Sequence, residues 1–98
     1  MAVIWSRRAR DDLAATFHFI ARDDRAAAER WLARLIKRGN ALAALPHTGR
    51  MVPEFVRDDL REVIERTYRI VYRIDGDAIR ILTVFEGHRL LGPSDVAE

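Results

Sequence analysis

Thr67-Tyr-Arg-Ile-Val-Tyr-Arg-Ile-Asp-Gly-Asp-Ala-Ile-Arg-Ile-Leu-Thr-Val-Phe-Glu86 alternates in character on both sides of an Asp75-Gly76 dipeptide. A period of two belongs to a strand whose faces meet different surroundings. The dipeptide predicts a type I′ hairpin, because Gly accepts the positive φ that this turn requires. Two antiparallel strands, 67–74 and 78–86, are therefore expected, and Leu60 to Glu65 just upstream reads as a third. The C-terminal half is predicted to be an antiparallel meander.

Alternation also sorts these strands by face. Tyr68, Ile70, Tyr72 and Ile74 share one face, and across a two-residue turn Ile79, Ile81, Thr83 and Phe85 join them. This face is expected to receive helices. The other carries Arg69, Val71, Arg73, Arg80, Leu82 and Val84, with Arg61 and Val63 joining from the upstream strand. Arginine commonly decorates the wet side of a one-sided sheet. Val71, Leu82 and Val84 would be stranded among those arginines, and no predicted helix remains to cover them. Apolar groups within a basic field are what a partner-binding or phosphate-binding surface presents.

Upstream, the period changes. Ala2, Val3, Ile4 and Trp5 form a short apolar strand that stops at Ser6, a residue type that caps helix N-termini. From Arg7 to about Arg22, Ala9, Leu13, Phe17, Ile20 and Ala21 recur at helical spacing. Asp23 and Asp24 break the pattern and cap a second helix, whose stripe runs through Ala28, Trp31, Leu32, Leu35, Ile36, Leu42 and Ala43 and ends before Pro46. The short joint makes the two helices an antiparallel hairpin. Pro46, Gly49 and Pro53 mark an irregular connection to the meander. The expected fold class is α+β: an N-terminal strand, a helix hairpin and a three-stranded antiparallel meander, with the helices on one face of the sheet. One domain over 1–98 is expected, with 91–98 as a loose tail around Gly92-Pro93.

Composition limits the chemistry. The chain has 98 residues, 49% of them hydrophobic, which is enough for one modest core. It has no cysteine, so disulfides, thiolate nucleophiles and cysteine-ligated metals are excluded, and a reducing compartment fits. Arg7, Arg8, Arg10, Asp11 and Asp12 interrupt the N-terminus, so no secretion signal is read and a cytoplasmic location is expected. No segment approaches the roughly 20 apolar residues of a membrane helix. The net charge of +2 is slight, but seventeen Lys and Arg leave room for a basic patch if the acids lie elsewhere. His18 and His47 read as surface or packing residues; with His88 they are too scattered for a metal site, and no cofactor is expected.

Several local motifs carry a resemblance: Trp5-Ser-Arg-Arg-Ala-Arg-Asp-Asp-Leu13, Leu45-Pro-His-Thr-Gly-Arg50 with Val52-Pro-Glu54, Leu60-Arg-Glu62, and Tyr68-Arg-Ile-Val-Tyr-Arg73. In this order, and followed by Val84-Phe-Glu-Gly-His-Arg89, they resemble the RelE/ParE superfamily of bacterial toxins from about Val3 to Leu91. The resemblance implies the toxin of a type II toxin-antitoxin module with a cognate antitoxin as partner. RelE-like members cut messenger RNA in the ribosomal A site, whereas ParE-like members poison DNA gyrase.

Arg69 and Arg89 fall where RelE-like toxins hold phosphate, and Arg61 lies near a third basic position. The proton-transfer lysine aligns with Val63, however, and no tyrosine follows Tyr72. A positioned general acid or base contributes about 10²–10⁴ in rate, so binding would survive this loss better than cutting. The resemblance therefore implies a ParE-like toxin that inhibits gyrase by direct binding, with no catalytic residue. Arg61, Arg69, Arg73, Arg80 and Arg89 would serve as target- or phosphate-binding groups. The alternatives are a ribosome-dependent mRNA endonuclease using Arg61, Arg69, His88 and Arg89, and a non-toxic scaffold that a partner binds. In each case an amphipathic antitoxin segment is expected over the apolar sites of the helix hairpin and the sheet.

Overall fold

Ser6 ends the first strand and starts the first helix in the computed structural model, which describes residues 1–87 and 89–97. Its Oγ accepts from Ala9 N–H (3.0 Å) and donates to Leu82 O (3.0 Å), so one hydroxyl caps the helix and ties it to the sheet. Strand β1 (Ala2–Trp5) thus passes directly into α1 (Arg7–Ala21). Asp24 caps α2 (Arg25–Asn40) through Ala27 N–H at 3.0 Å. A 3₁₀ turn over Ala41–Ala43 follows where the sequence reading carried the helix onward.

The meander is present as β3 (Leu60–Glu65), β4 (Tyr68–Asp75) and β5 (Ala78–Glu86). A two-residue strand absent from the sequence reading, β2 (Arg50–Met51), precedes it, and the sheet order is β1-β5-β4-β3-β2. β1 lies parallel to β5, from Ala2 opposite Ala78 to Trp5 opposite Ile81, and the other neighbours are antiparallel. In the β4–β5 turn, Asp75 pairs with Ala78 and Gly76 holds φ +61, with no positive φ at Asp77. The central pair is therefore Gly76-Asp77, and a single positive φ at its first position is the type II′ pattern rather than the expected I′.

α1 and α2 cover one face. Ala9, Leu13, Trp31 and Leu35 meet Val63, Ile70, Tyr72, Ile79, Ile81 and Val84 in the main core. A second, smaller core lies on the far face: Val52, Leu60, Val71, Leu82, Leu91 and Val96, flanked by Phe55 and Phe85. The tail expected to be loose instead closes this core, through Leu91, Val96 and a short helix α3 (Pro93–Val96). Val71 and Leu82, expected to be stranded, are covered by their own chain (0% and 2% exposed).

Four further assignments are corrected by the register. Val71 pairs with Thr83 and Tyr72 with Ile81, which leaves Leu82 as an extra, bulged residue in β5. The bulge inverts the parity beyond it, so Val84 faces the helices beside Ile70 and Phe85 faces away beside Arg69, opposite to expectation. Likewise Arg61 and Val63 pair with Tyr72 and Ile70, which puts both on the helix side rather than among the far-face arginines.

Candidate functional site

Arg69, on the far face near the start of β4, is 5% exposed. Its Nε donates to Glu62 Oε1 (2.6 Å), and its terminal nitrogens donate to Glu54 Oε1 and Oε2 (2.8 and 2.9 Å) in a bidentate pair. Nη1 also donates to Arg89 O at 3.3 Å. Glu62 is buried and accepts from Arg50 Nε at 2.6 Å through its other oxygen. The Phe85 ring lies under both the Arg69 and the Arg89 guanidinium, at 5.1 and 4.3 Å. Most of the fork of donors with which Arg69 would grip a phosphate is already occupied.

The other arginines singled out from the sequence are engaged in the same way. Arg89 Nη1 donates to both Asp95 oxygens at 3.1 Å, and Asp95 also takes Arg8. Arg80 Nε donates to Asp75 (2.9 Å), with Arg73 on the same carboxylate at 3.7 Å. Arg61 bonds Asp58 Oδ1 (2.5 Å) and the backbone oxygens of Asp58 and Gly49 (both 3.1 Å). Arg69 and Arg89 are brought together over Phe85, and Arg73 and Arg80 are cross-strand partners that share Asp75. Arg73 and Arg80 lie at the hairpin end, and Arg61 is on the opposite face at the β2 edge. His88 lies outside the described residues, and His18 and His47 are exposed. Among the described residues no cluster of His, Asp or Glu is suited to a metal.

The charges hold the far face together. The Arg69 hydrogen bonds, helped by Leu91 N–H (2.9 Å), bring the Glu54 carboxyl down to about 2 against the opposing effect of burial. The two carboxylates, Glu54 first, raise Arg69 in turn. Burial pushes Asp95 upward, but Gly92 N–H, Arg89 and Arg8 together outweigh it and leave the carboxyl lowered. Tyr72 is raised by burial; its hydroxyl donates to Pro46 O (2.6 Å) and accepts from Gly49 N–H (3.0 Å), which ties the connection before β2 to the sheet. Glu54, Glu62 and Asp95 were missed in the sequence. The signal was available for Glu62, which shares the Arg69 face by strand parity, but not for the two loop-borne acids.

Apolar surface also lies along the helix hairpin. Two adjoining grooves of about 320 and 350 Å³ run along α1 and α2 and share Arg10 and Leu13. Phe17 and Leu32 line one, Trp5 and Ile36 the other. Together they form a continuous apolar trough between the helices.

Comparison with known proteins agrees with this architecture. Among curated proteins none matches the chain in sequence. The chain resembles a solved structure of the chromosomal ParDE toxin-antitoxin system of P. aeruginosa, at TM-score 0.73 and 22% identity, covering 88% of this chain and 95% of that one. It also resembles the toxin-antitoxin complex RelBE2 of Mycobacterium tuberculosis, at TM-score 0.61 and 24% identity, covering 87% and 95%. These likenesses establish the shared fold. The family model described as the ParE toxin of the type II toxin-antitoxin system parDE matches residues 3–91, nearly the whole chain, and the protein therefore belongs to the ParE toxin family.

Proposed function

We propose that this toxin inhibits DNA gyrase by direct contact, without chemistry of its own, in the cytoplasm, and that a cognate antitoxin neutralises it. One observation carries the reading: each of the five arginines that would hold a phosphate is already held by a carboxylate of its own chain. The position of the proton-transfer lysine is taken by Val63, 4% exposed within the main core. A nuclease would have to break its own far-face ion pairs to bind its substrate, whereas a protein inhibitor keeps them. The trough between α1 and α2 suits the apolar stripe of an amphipathic antitoxin helix. The solved ParDE and RelBE2 relatives are themselves toxin-antitoxin systems, which supports a partner of that kind.

Purified protein added to gyrase supercoiling relaxed DNA is expected to stall the reaction, and expression without antitoxin to induce the DNA-damage response. Translation-dependent mRNA cleavage with supercoiling untouched would replace this reading with the endonuclease. Harmless overexpression of folded protein would leave only a scaffold.

A further inference from the structure

We propose that the outer edge of β3 at Val63–Glu65, with the groove beside it, docks an extended acidic and apolar segment of another protein chain, which joins the sheet as an added strand. This goes beyond the choice of target and does not depend on it.

The backbone hydrogen bonds set the geometry. Asp59 O accepts from Ile74 N–H (2.8 Å), so Asp59, Arg61, Val63 and Glu65 turn their backbone groups toward β4. Leu60 O accepts from Val52 N–H (3.2 Å), so Leu60, Glu62 and Ile64 turn theirs outward. β2 meets this edge only as far as Arg50 opposite Glu62. Beyond that point the N–H and C=O of Ile64 point past the end of β2, with no paired strand among the described residues. An open edge of this kind is a template for pairing.

A groove of about 610 Å³ adjoins the edge on the far face, its apolar part made by Pro53, Ile64 and Leu90. Ile64 is 47% and Leu90 80% exposed. A strand added to β3 would place the residue opposite Ile64 on the same face, hence into this groove. The residue two positions along toward the β3–β4 turn shares that face and comes alongside Arg66, while in the other direction the place opposite Glu62 is already held by Arg50 of β2, which ends the added strand there; both arginines line the groove. Arg50 keeps 63% of its side chain exposed despite its bond to Glu62.

Arg66 is exposed and makes no ion pair among the described residues. It is also the one non-glycine described at positive φ (+58). Of the nearby acids, Glu54 is neutralised by Arg69, and Glu65 is on the helix side facing Arg34 (3.9 Å). The surface therefore reads an apolar residue with an acid two positions along, in an extended peptide.

Selection of phage-displayed nonapeptides against the intact chain tests this. Enriched peptides should carry Asp or Glu two positions from an apolar residue, and their synthetic forms should protect the Ile64 amide from hydrogen exchange. Arg66→Glu, at an exposed turn, should weaken binding at least tenfold. Ile64→Pro removes the outward N–H while leaving the β4 pairing intact, and should abolish binding; where that variant does not fold, Arg66→Glu and the exchange experiment decide. The proposal is overturned by no enrichment, by enrichment without acids, or by affinity that Arg66→Glu leaves unchanged. Self-association of the protein that Arg66→Glu abolishes would assign the edge to a second copy and overturn it as well.

Discussion

Arg69 shows how a residue's role depends on what surrounds it. In the sequence it is one arginine in a motif; in the fold it lies between two carboxylates, one of them wholly buried. Removing one partner of a buried ionic group costs about 3–5 kcal/mol, because the charge left behind has no compensation, whereas replacing the group by apolar or neutral residues of similar volume is often close to neutral. Arg69→Ala is therefore expected to lower stability by about that amount, which for a domain of this size is a large fraction of the total. Combining Arg69→Met with Glu62→Gln and Glu54→Gln should recover much of it. Urea unfolding of the single and triple variants checks this, and equal losses in both would mean that the network is not the source. Toxicity lost in Arg69→Ala alone would then report folding, not catalysis.

The same network sets the response to acid. The folded-state value of the Glu54 carboxyl is lowered from 4.5 to about 2, so its contribution is fully present above pH about 4.5 and is lost as pH falls toward 2. Asp59, lowered chiefly by Arg57, and the lowered Asp95 act in the same direction. The melting temperature is expected to drop steeply over that window. Glu54→Gln should start lower at neutral pH and fall less; parallel curves for the two proteins would remove Glu54 from the account.

At the scale of elements, periodicity was a good guide wherever one residue step maps onto one position. The Ser6 and Asp24 caps, the helix stripes and the three-stranded meander follow from it. It failed where a single residue breaks the count. The Leu82 bulge exchanged the sides of Val84 and Phe85, and β2 was too short to show any alternation. The site was less legible than the fold, because Glu54 and Asp95 reach the arginines from irregular segments whose path no local pattern encodes.

Gly39 illustrates a constraint of the same kind. A Cβ there would stand 2.9 Å from Ile81 Cδ1 and closer still to the Trp5 ring. Alanine gains about 1 kcal/mol in helix propensity over glycine, but overpacking costs about 1–3 kcal/mol. Displacing Trp5 also endangers its 2.9 Å bond to Asn40 Oδ1. Gly39→Ala is expected to be destabilising on balance, by about 1–2 kcal/mol. A rise in melting temperature would show that α2 shifts freely over β1.

For the whole molecule, the decisive property is that both faces of the sheet are closed by the chain itself. The helices cover one, and the segment from Leu91 to Val96, with Val52 and Phe55, covers the other. Contacts with partners are left to grooves and edges. The field is correspondingly weak: seventeen basic and fifteen acidic side chains nearly cancel, and ion pairs intersperse the two signs. Single-stranded nucleic acid binding loses about 0.7 in log affinity per unit of log salt for each phosphate neutralised. A true phosphate-binding face using all five arginines would give a slope of roughly three to four on that scale. Self-paired arginines should give a slope below about two, with dissociation constants weaker than about 10 µM near physiological salt. Fluorescence anisotropy with a short RNA across a salt series makes the measurement. A shallow slope together with intact gyrase inhibition would separate target recognition from phosphate binding. A steep one would mean that the Glu54, Asp58, Asp75 and Asp95 pairs open in solution, and would return Arg69 and Arg89 to candidacy as RNA-binding groups.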